Sequence, residues 1–276
     1  MARISRAVGV LRSGNLLATL DNHRRENAST VRRLLPHPVP GGDGVSARRI
    51  NALYRGLPTA AHYLEIGLHA GRTFEQVRLP YRIGVDPNPL FDLRRLPSNV
   101  VISAVTSDEF FEAASPQAGF DIVFLDGLHT YRQTYKDLIN TLDVCPAGVI
   151  MVDDVVPSDE ASAMPDQLES IAERQRRGLI GDPWHGDVYK VLLCIHEQHP
   201  ELSVRTIMGS GNPQTLVWRD DVATPVSPIA VDSLVEIDNI SYNDVFSAGP
   251  PDYFRPCAED EAIADALSAV SARFSE

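Results

Sequence analysis

The chain has 276 residues, of which 43% are hydrophobic and 22% charged, and its formal net charge is −12. These fractions exclude a collagen-like repeat, a disulfide scaffold and a disordered chain. The acidic balance argues against a nucleic-acid partner, because phosphate binding needs a basic face. The longest stretch without a charged residue, Thr206–Trp218, is too short for a membrane span, and Arg12 interrupts any signal-peptide core. We expect a soluble, cytoplasmic protein.

Residues 1–57 are predicted to form a helical arm. Apolar residues at helical spacing favour one or two helices in residues 1–35, and Pro36–Gly44 is a turn-rich linker. A short helix is predicted over Ser46–Leu57, with Ser46 as its N-cap. The arm holds ten arginines and three acids, a net charge of +7, which leaves −19 for the rest of the chain. We expect the arm to act as a lid or to form the interface of a homodimer.

From His62 onward, short Val- and Ile-rich strands alternate with helices. The predicted strands are Tyr63–Gly67, Arg82–Asp86, Val100–Val105, Asp121–Asp126, Val149–Asp154, Ser203–Met208 and Thr215–Trp218. The predicted helices are Thr73–Val77, Ser107–Ala114, Tyr131–Leu142, Asp187–Gln198 and Ala258–Phe274. This alternation predicts a doubly wound α/β sheet with parallel crossovers, and the turn Gly209–Pro213 predicts a closing antiparallel hairpin. The expected division is an arm (1–57), a core (58–220) and a C-terminal extension (221–276).

The carboxyl ends of the first two strands carry the pattern of a nucleotide site. Strand one runs into E-x-G-x-x-x-G, with Glu65, Gly67 and Gly71, and strand two ends in Asp86. The glycines allow a tight turn close to a ligand, and Asp86 is placed to accept hydrogen bonds from a ribose diol. A nicotinamide dinucleotide favours G-x-G-x-x-G, so an acid at the first position indicates a cationic ligand and makes a dehydrogenase a remote alternative.

A second group of acids follows strands four and five. Asp126 ends strand four, and Asp153 with Asp154 ends strand five. Adjacent strand ends would bring these like charges together, and a hard divalent cation such as Mg²⁺ would relieve their repulsion. The alternative is a set of helix caps and solvated loop acids. His129 follows in DGLH, where an imidazole could accept a proton from a substrate hydroxyl or simply hydrogen-bond the loop.

Taken in order, these strand ends make residues 60–220 resemble the class I S-adenosylmethionine-dependent methyltransferases. The resemblance implies a Rossmann-like, doubly wound seven-stranded sheet of order 3-2-1-4-5-7-6, with the last strand antiparallel and helical appendages at both ends. It implies S-adenosylmethionine as the cofactor. The residues it assigns to cofactor binding are Glu65, Gly67, Gly71, Thr73, Asp86, Ser107, Asp108 and Asp126.

Within that family the chain is most similar to the metal-dependent sugar O-methyltransferases. This similarity implies Mg²⁺ or another divalent cation on Asp126, Asp153 and Asp154, with His129 and Asp126 as the catalytic residues. The pair Asp153–Asp154 departs from the Asp-Asn pair of the catechol enzymes. The segment Trp184–Lys190 (WHGDVYK) belongs to the same resemblance, either lining the substrate pocket or packing the last crossover, and residues 157–183 are expected to act as a lid.

We therefore expect an O-methyltransferase that acts on a hydroxyl of a saccharide or glycosylated metabolite, a small-molecule or oligosaccharide acceptor. A phenolic or catechol-type O-methyltransferase is the second possibility. A non-catalytic methyltransferase-fold subunit is the third, and the joint presence of Asp126, His129, Asp153 and Asp154 argues against it.

Overall fold

The computed structural model describes residues 44–91, 97–114, 119–181, 183–227 and 231–275. The helices predicted within residues 1–35 and the linker before Gly44 lie outside these ranges. The helices are α1 Val45–Gly56, α2 Arg72–Gln76, α3 Ser107–Ala113, α4 Tyr131–Val144, α5 Gln167–Arg177, α6 Lys190–Gln198, α7 Val231–Asp238, α8 Tyr242–Phe246 and α9 Glu259–Val270. The strands are β1 His62–Ile66, β2 Tyr81–Val85, β3 Val100–Ser103, β4 Ile122–Leu125, β5 Val149–Val152, β6 Leu202–Ile207, β7 Gln214–Arg219 and β8 Pro256–Cys257.

The strands form one sheet of order β3-β2-β1-β4-β5-β7-β6-β8. Strands β1 to β5 are parallel, and β7 is antiparallel to both of its neighbours, β5 and β6. The predicted α/β sheet, its strand order and its antiparallel last strand are thus confirmed. The short strand β8 extends the sheet by pairing in parallel with β6. Two residues are too few for a recognisable sequence pattern, so this eighth strand was not predicted.

Helices cover both faces of the sheet. Along β4, Ile122 and Phe124 join a hydrophobic cluster with α1, α2 and α9, while Val123 and Leu125 join a second cluster with α3, α4 and α6. Strands buried on both faces are mostly apolar, which explains why they appear in the sequence as Val- and Ile-rich runs. Each of these side chains contributes about 1.5–3 kcal/mol when fully buried.

Helix starts were the weakest part of the prediction. Helix α1 begins at Val45 with Gly44 at its N-cap position, so the predicted cap is wrong, and the Ser46 hydroxyl instead accepts a hydrogen bond from Gln214 Nε2 at 2.7 Å. The helix predicted from Asp187 begins at Lys190 because Asp187 caps a different helix. Within the described ranges, no helix is both long and apolar enough to cross a membrane.

Candidate active site

A cavity of about 780 Å³ opens where β1, β2 and β4 end. This is the carboxyl edge of the parallel sheet, where open α/β folds bind their ligands. Six of the predicted site residues line the cavity: Gly67, Asp86, Ser107, Asp108, Asp126 and His129. Of the three predicted metal ligands, Asp126 is in the described cavity wall, whereas Asp153 and Asp154 are not.

Asp86 organises the loop that follows β1. Its Oδ2 accepts hydrogen bonds from the backbone N–H groups of Leu68 at 2.9 Å and His69 at 2.8 Å, and its Oδ1 accepts from Asn88 N–H at 2.7 Å. An ionised carboxylate has about four acceptor sites, so Asp86 retains capacity for a donor from the cavity. The carboxylate thus holds the loop and still presents an acceptor to a ligand.

Gly67 lets the ends of β1 and β4 approach each other. Its φ of 87° lies in the left-handed region, and a Cβ at this position would stand 1.8 Å from the carbonyl oxygen of Asp126. Only glycine satisfies both conditions. The residue therefore sets the distance between the nucleotide loop and the start of the acidic group.

Three predicted cofactor residues lie outside the cavity wall. Glu65 is buried in β1, where it accepts a hydrogen bond from Tyr63 Oη at 2.5 Å, and burial raises the pKa of its carboxyl to about 8. Gly71 stands at the N-cap position of α2, and Thr73 lies within that helix. Their predicted contact with a cofactor stays a prediction.

Ser107 and Asp108 are held in place from α4. Gln133 Nε2 donates to Ser107 Oγ at 3.1 Å and to Asp108 Oδ1 at 3.0 Å, and Lys136 Nζ lies 2.7 Å from Asp108 Oδ2. Hydrogen bonds from Lys136 and then Gln133 hold the pKa of Asp108 below its ordinary value. Gln133 itself lines the cavity, and the sequence analysis missed it because nothing in a helical Gln marks it as a contact.

Asp126, His129 and Asp154 form a group whose donor atoms all lie within 4.8 Å of one another. His129 Nδ1 is 3.1 Å from Asp154 Oδ2, and His129 Nε2 is 3.7 Å from Asp126 Oδ1. Burial, followed by repulsion from Asp153 and Asp154, raises the pKa of Asp126 well above its ordinary value. Burial also raises the pKa of Asp154 to about 7. This concentration of poorly solvated carboxylates is an environment that a cation would stabilise.

Asp153 borders that group and is hydrogen-bonded to protein donors. Its Oδ1 accepts hydrogen bonds from the Asp154 N–H at 2.8 Å and from Asn212 Nδ2 at 2.5 Å. Burial and then the charge of Asp154 raise the pKa of Asp153 to about 7. The structure thus brings two of the three predicted metal-binding acids together with His129 and leaves Asp153 among protein donors.

The segment Trp184–Lys190 packs against His129 through Trp184. The two rings of His129 and Trp184 stack at 4.6 Å with an interplanar angle of 17°, and His129 Nδ1 lies 3.1 Å from the Trp184 carbonyl oxygen. Burial lowers the pKa of His129 below its ordinary value. Asp187 Oδ1 accepts from the Tyr131 N–H at 2.8 Å and so caps α4. Trp184 lines the cavity, whereas Lys190 is buried and donates to the Asp238 carbonyl at 3.0 Å.

The predicted lid segment contributes a wall of the cavity. It contains α5, and Gln167 in the first turn of that helix is a lining residue. Arg174 of the same helix is buried. Its Nη1 lies 2.5 Å from Asp159 Oδ2, and its Nε lies 3.2 Å from the Gly181 carbonyl oxygen. These bonds give the segment a defined structure over its described residues. The sequence analysis did not predict α5, whose residues are mostly polar or charged.

The part of the chain that forms most of the cavity wall matches a known protein family. Residues 41–155, which contain β1 to β5 and most of the cavity wall, match the family described as "Methyltransferase domain". No curated protein matches the chain. Over these residues the match agrees with the expectation of a methyltransferase.

Several solved structures are similar to the chain at low identity. An O-methyltransferase of Bacillus cereus in complex with SAH is 15% identical, with a TM-score of 0.41, over 79% of this chain and 91% of the other. The O-methyltransferase TomG of Streptomyces achromogenes, involved in tomaymycin synthesis and bound to SAM, is 17% identical, with a TM-score of 0.41, over 62% and 78%. A Staphylococcus aureus protein described as a candidate caffeoyl-CoA O-methyltransferase is 16% identical, with a TM-score of 0.46, over 74% and 99%.

Proposed function

We propose that this chain, whose residues 41–155 match a methyltransferase domain, is an S-adenosylmethionine-dependent O-methyltransferase. The acceptor is a hydroxyl of a saccharide or glycosylated metabolite, and a divalent cation assists the reaction. The observation that carries the proposal is one cavity of about 780 Å³ whose wall includes Asp86, Asp108, Asp126 and His129. An acid-rich wall suits a sulfonium cation and disfavours the pyrophosphate of a dinucleotide.

In this proposal the cofactor lies along the carboxyl ends of β1, β2 and β4. Asp86 accepts from the ribose hydroxyls, and Gly67 permits the close approach of the backbone. Ser107 and Asp108, held by Gln133, face the adenine. Methyl transfer itself needs an in-line arrangement of acceptor oxygen, methyl carbon and sulfonium sulfur, so the contribution of the protein is alignment.

Asp126 and Asp154 fit a divalent cation, and His129 beside them has the role of base. The donor atoms of these three residues lie within 4.8 Å of one another, and carboxylate oxygen is the ligand that Mg²⁺ prefers. A bound cation would supply Lewis-acid assistance by lowering the pKa of an acceptor hydroxyl. Asp153, predicted as a third acidic ligand, retains Oδ2 for such a role because both bonds described above fall on its Oδ1.

His129 is the proposed proton acceptor. With its Nδ1 proton directed at the Trp184 carbonyl, Nε2 carries the lone pair on the side of Asp126 and the cavity. Burial lowers the pKa of the imidazole, which keeps the ring neutral and able to accept a proton near neutral pH.

Cofactor binding is tested by calorimetry with S-adenosylhomocysteine and with NAD⁺. The wild-type chain should bind the first and not the second. Asp86→Ala removes charged hydrogen bonds worth about 1.5–3 kcal/mol each, so affinity should fall at least about tenfold. Asp221→Ala is the matched control, because Asp221 Oδ1 also accepts from the N–H two residues on, Ala223, at 2.9 Å, away from the cavity. Tight NAD⁺ binding without a response to S-adenosylhomocysteine would sink the proposal.

Metal dependence is tested on the purified chain with labelled S-adenosylmethionine and an acceptor panel analysed by mass spectrometry. Activity should disappear with EDTA and return with Mg²⁺ or Mn²⁺, and Asp126→Ala should reproduce the effect of EDTA. Full turnover in EDTA would reduce the acids to a structural role. The panel contains saccharides and catechols, so methylation confined to catechols selects the phenolic alternative. Cofactor binding with no transfer to any acceptor is the pattern of a non-catalytic subunit.

A further inference from the structure

We propose that Asn212, in the turn between β6 and β7, positions the acid pair Asp153–Asp154 for its role beside His129. This inference rests on the metal-assisted function proposed above. Asn212 lies fifty-nine residues from Asp153 in the chain and is not part of the cavity wall. It therefore acts through the acids and not through contact with substrate.

The backbone of Asp154 is the feature that needs support. Its φ of 59° is in the left-handed region, which is unfavourable for a non-glycine residue. In this conformation the Asp154 N–H donates to Asp153 Oδ1 at 2.8 Å, and the Asp154 carboxylate reaches to 3.1 Å from His129 Nδ1. The side chain of Asp153 thus serves as the acceptor that keeps Asp154 turned towards His129.

Asn212 fixes that acceptor. Its Nδ2 donates to the same Oδ1 of Asp153 at 2.5 Å, so this oxygen is held between an amide side chain and a backbone N–H. Without the amide, the rotamer of Asp153 and the left-handed turn at Asp154 would lose one of the donors that define them. Two donors from different parts of the fold restrict the orientation of the carboxylate more than one donor does.

Asn212 is itself anchored by a buried arginine. Arg49 of α1 is fully buried, and its Nη1 donates to the Asn212 carbonyl at 2.6 Å and to Gln214 Oε1 at 2.7 Å. Its Nε donates to Glu259 Oε2 of α9 at 2.9 Å, so the guanidinium has an ionic partner. A buried charge with several bonds tolerates few alternative arrangements. Through Asn212 and Arg49, the acid pair is therefore linked by hydrogen bonds to helices α1 and α9.

The test compares Asn212→Ala and Asn212→Leu with the control Asn243→Ala. Asn243 Nδ2 also donates to a carboxylate, Glu160 Oε1 at 3.1 Å, but on the exposed surface. Removing an outer hydrogen-bond partner of a ligand set weakens metal binding by about 10–100-fold, so Mn²⁺ affinity, measured by electron paramagnetic resonance, should fall in that range for both Asn212 variants. S-adenosylhomocysteine affinity should be unchanged, and the control should bind Mn²⁺ like wild type. The Leu variant keeps the number and branching of the side-chain heavy atoms, which guards against simple collapse of the turn.

A second readout does not depend on the metal. The backbone amide of Asp154, observed by nuclear magnetic resonance in the full chain, should shift in both Asn212 variants and stay in place in Asn243→Ala. If wild type binds Mn²⁺, an unchanged Mn²⁺ affinity in the Asn212 variants overturns the positioning role. If wild type binds no Mn²⁺, the metal part of the proposed function fails, and an unmoved Asp154 amide then separately overturns the positioning role.

Discussion

Gly67 shows how a single residue can decide the geometry of the site. The residue turns the chain out of β1 while the Asp126 carbonyl occupies the space that any Cβ would need. The Asp126 N–H in turn donates to the Ile66 carbonyl at 2.8 Å, so the two strand ends are joined immediately beside Gly67. A side chain at this position would separate the nucleotide loop from the acidic group.

Replacing Gly67 by alanine should therefore cost more than its backbone conformation alone. Gly209 has a similar φ of 80° but no atom within 4 Å of a Cβ, which makes Gly209→Ala the matched control. The left-handed conformation costs each variant about 1–2 kcal/mol. Gly67→Ala should lose about 1–3 kcal/mol more from the clash, measured by urea unfolding. Equal losses in the two variants would contradict this account.

Helix α4 shows how one element depends on a remote segment. The helix begins at Tyr131 without a side-chain cap from its own N-cap residue, Thr130, and the Tyr131 N–H is satisfied by Asp187. His129 lies two residues before this start, so the cap also orders the loop that carries the proposed base. The WHGDVYK segment thus joins helix capping, through Asp187, with the cavity wall, through Trp184.

Asp187→Ala should lower both stability and turnover. Loss of a capping carboxylate costs about 1 kcal/mol, which corresponds to about 2–4 °C in Tm for a protein near this size. Ser241→Ala is the control. The Ser241 Oγ accepts a hydrogen bond from the Asp244 N–H and so caps α8, a helix that contributes no residue to the described cavity wall. That control should show a comparable loss of Tm with normal turnover. If Asp187→Ala also turns over normally, the cap is structural only.

At the scale of the molecule, helix α1 of the N-terminal appendage and helix α9 of the C-terminal appendage complete the hydrophobic core. Ile50 and Leu53 of α1 and Ala262 and Val270 of α9 are fully buried in the cluster on one face of the sheet. Both helices lie outside the predicted core of residues 58–220, so those boundaries do not enclose the whole hydrophobic core. The Arg49–Glu259 ion pair links the two helices directly.

The arm before α1 is the subject of the last prediction. We propose that residues 1–35 cover the acceptor site or form a homodimer interface, because apolar positions accompany the arginines there. Deleting residues 1–35 should leave S-adenosylhomocysteine affinity unchanged, since the described cavity wall consists of residues from Ile66 onward. Acceptor methylation should fall, and the mass in solution, measured by light scattering, should change. A truncated chain with unchanged mass and turnover would show that the arm is dispensable.

The sequence alone determined where the strands lie and which side chains follow them, and the order of the strands came from the resemblance to the class I methyltransferases. Asp86 and Asp126 could be located at the cavity because continuous apolar runs mark buried strands, and parallel strands place their carboxyl ends at one edge. Only the tertiary structure showed that the Asp154 carboxylate lies beside His129 while Asp153 accepts a hydrogen bond from Asn212. The reason is the left-handed backbone at Asp154, which turns the two neighbouring side chains in different directions. Asp187 and Arg49 also became interpretable only in three dimensions. Their partners lie 56 and 163–210 residues away in the chain, and contacts at such separations leave no local periodicity in the sequence.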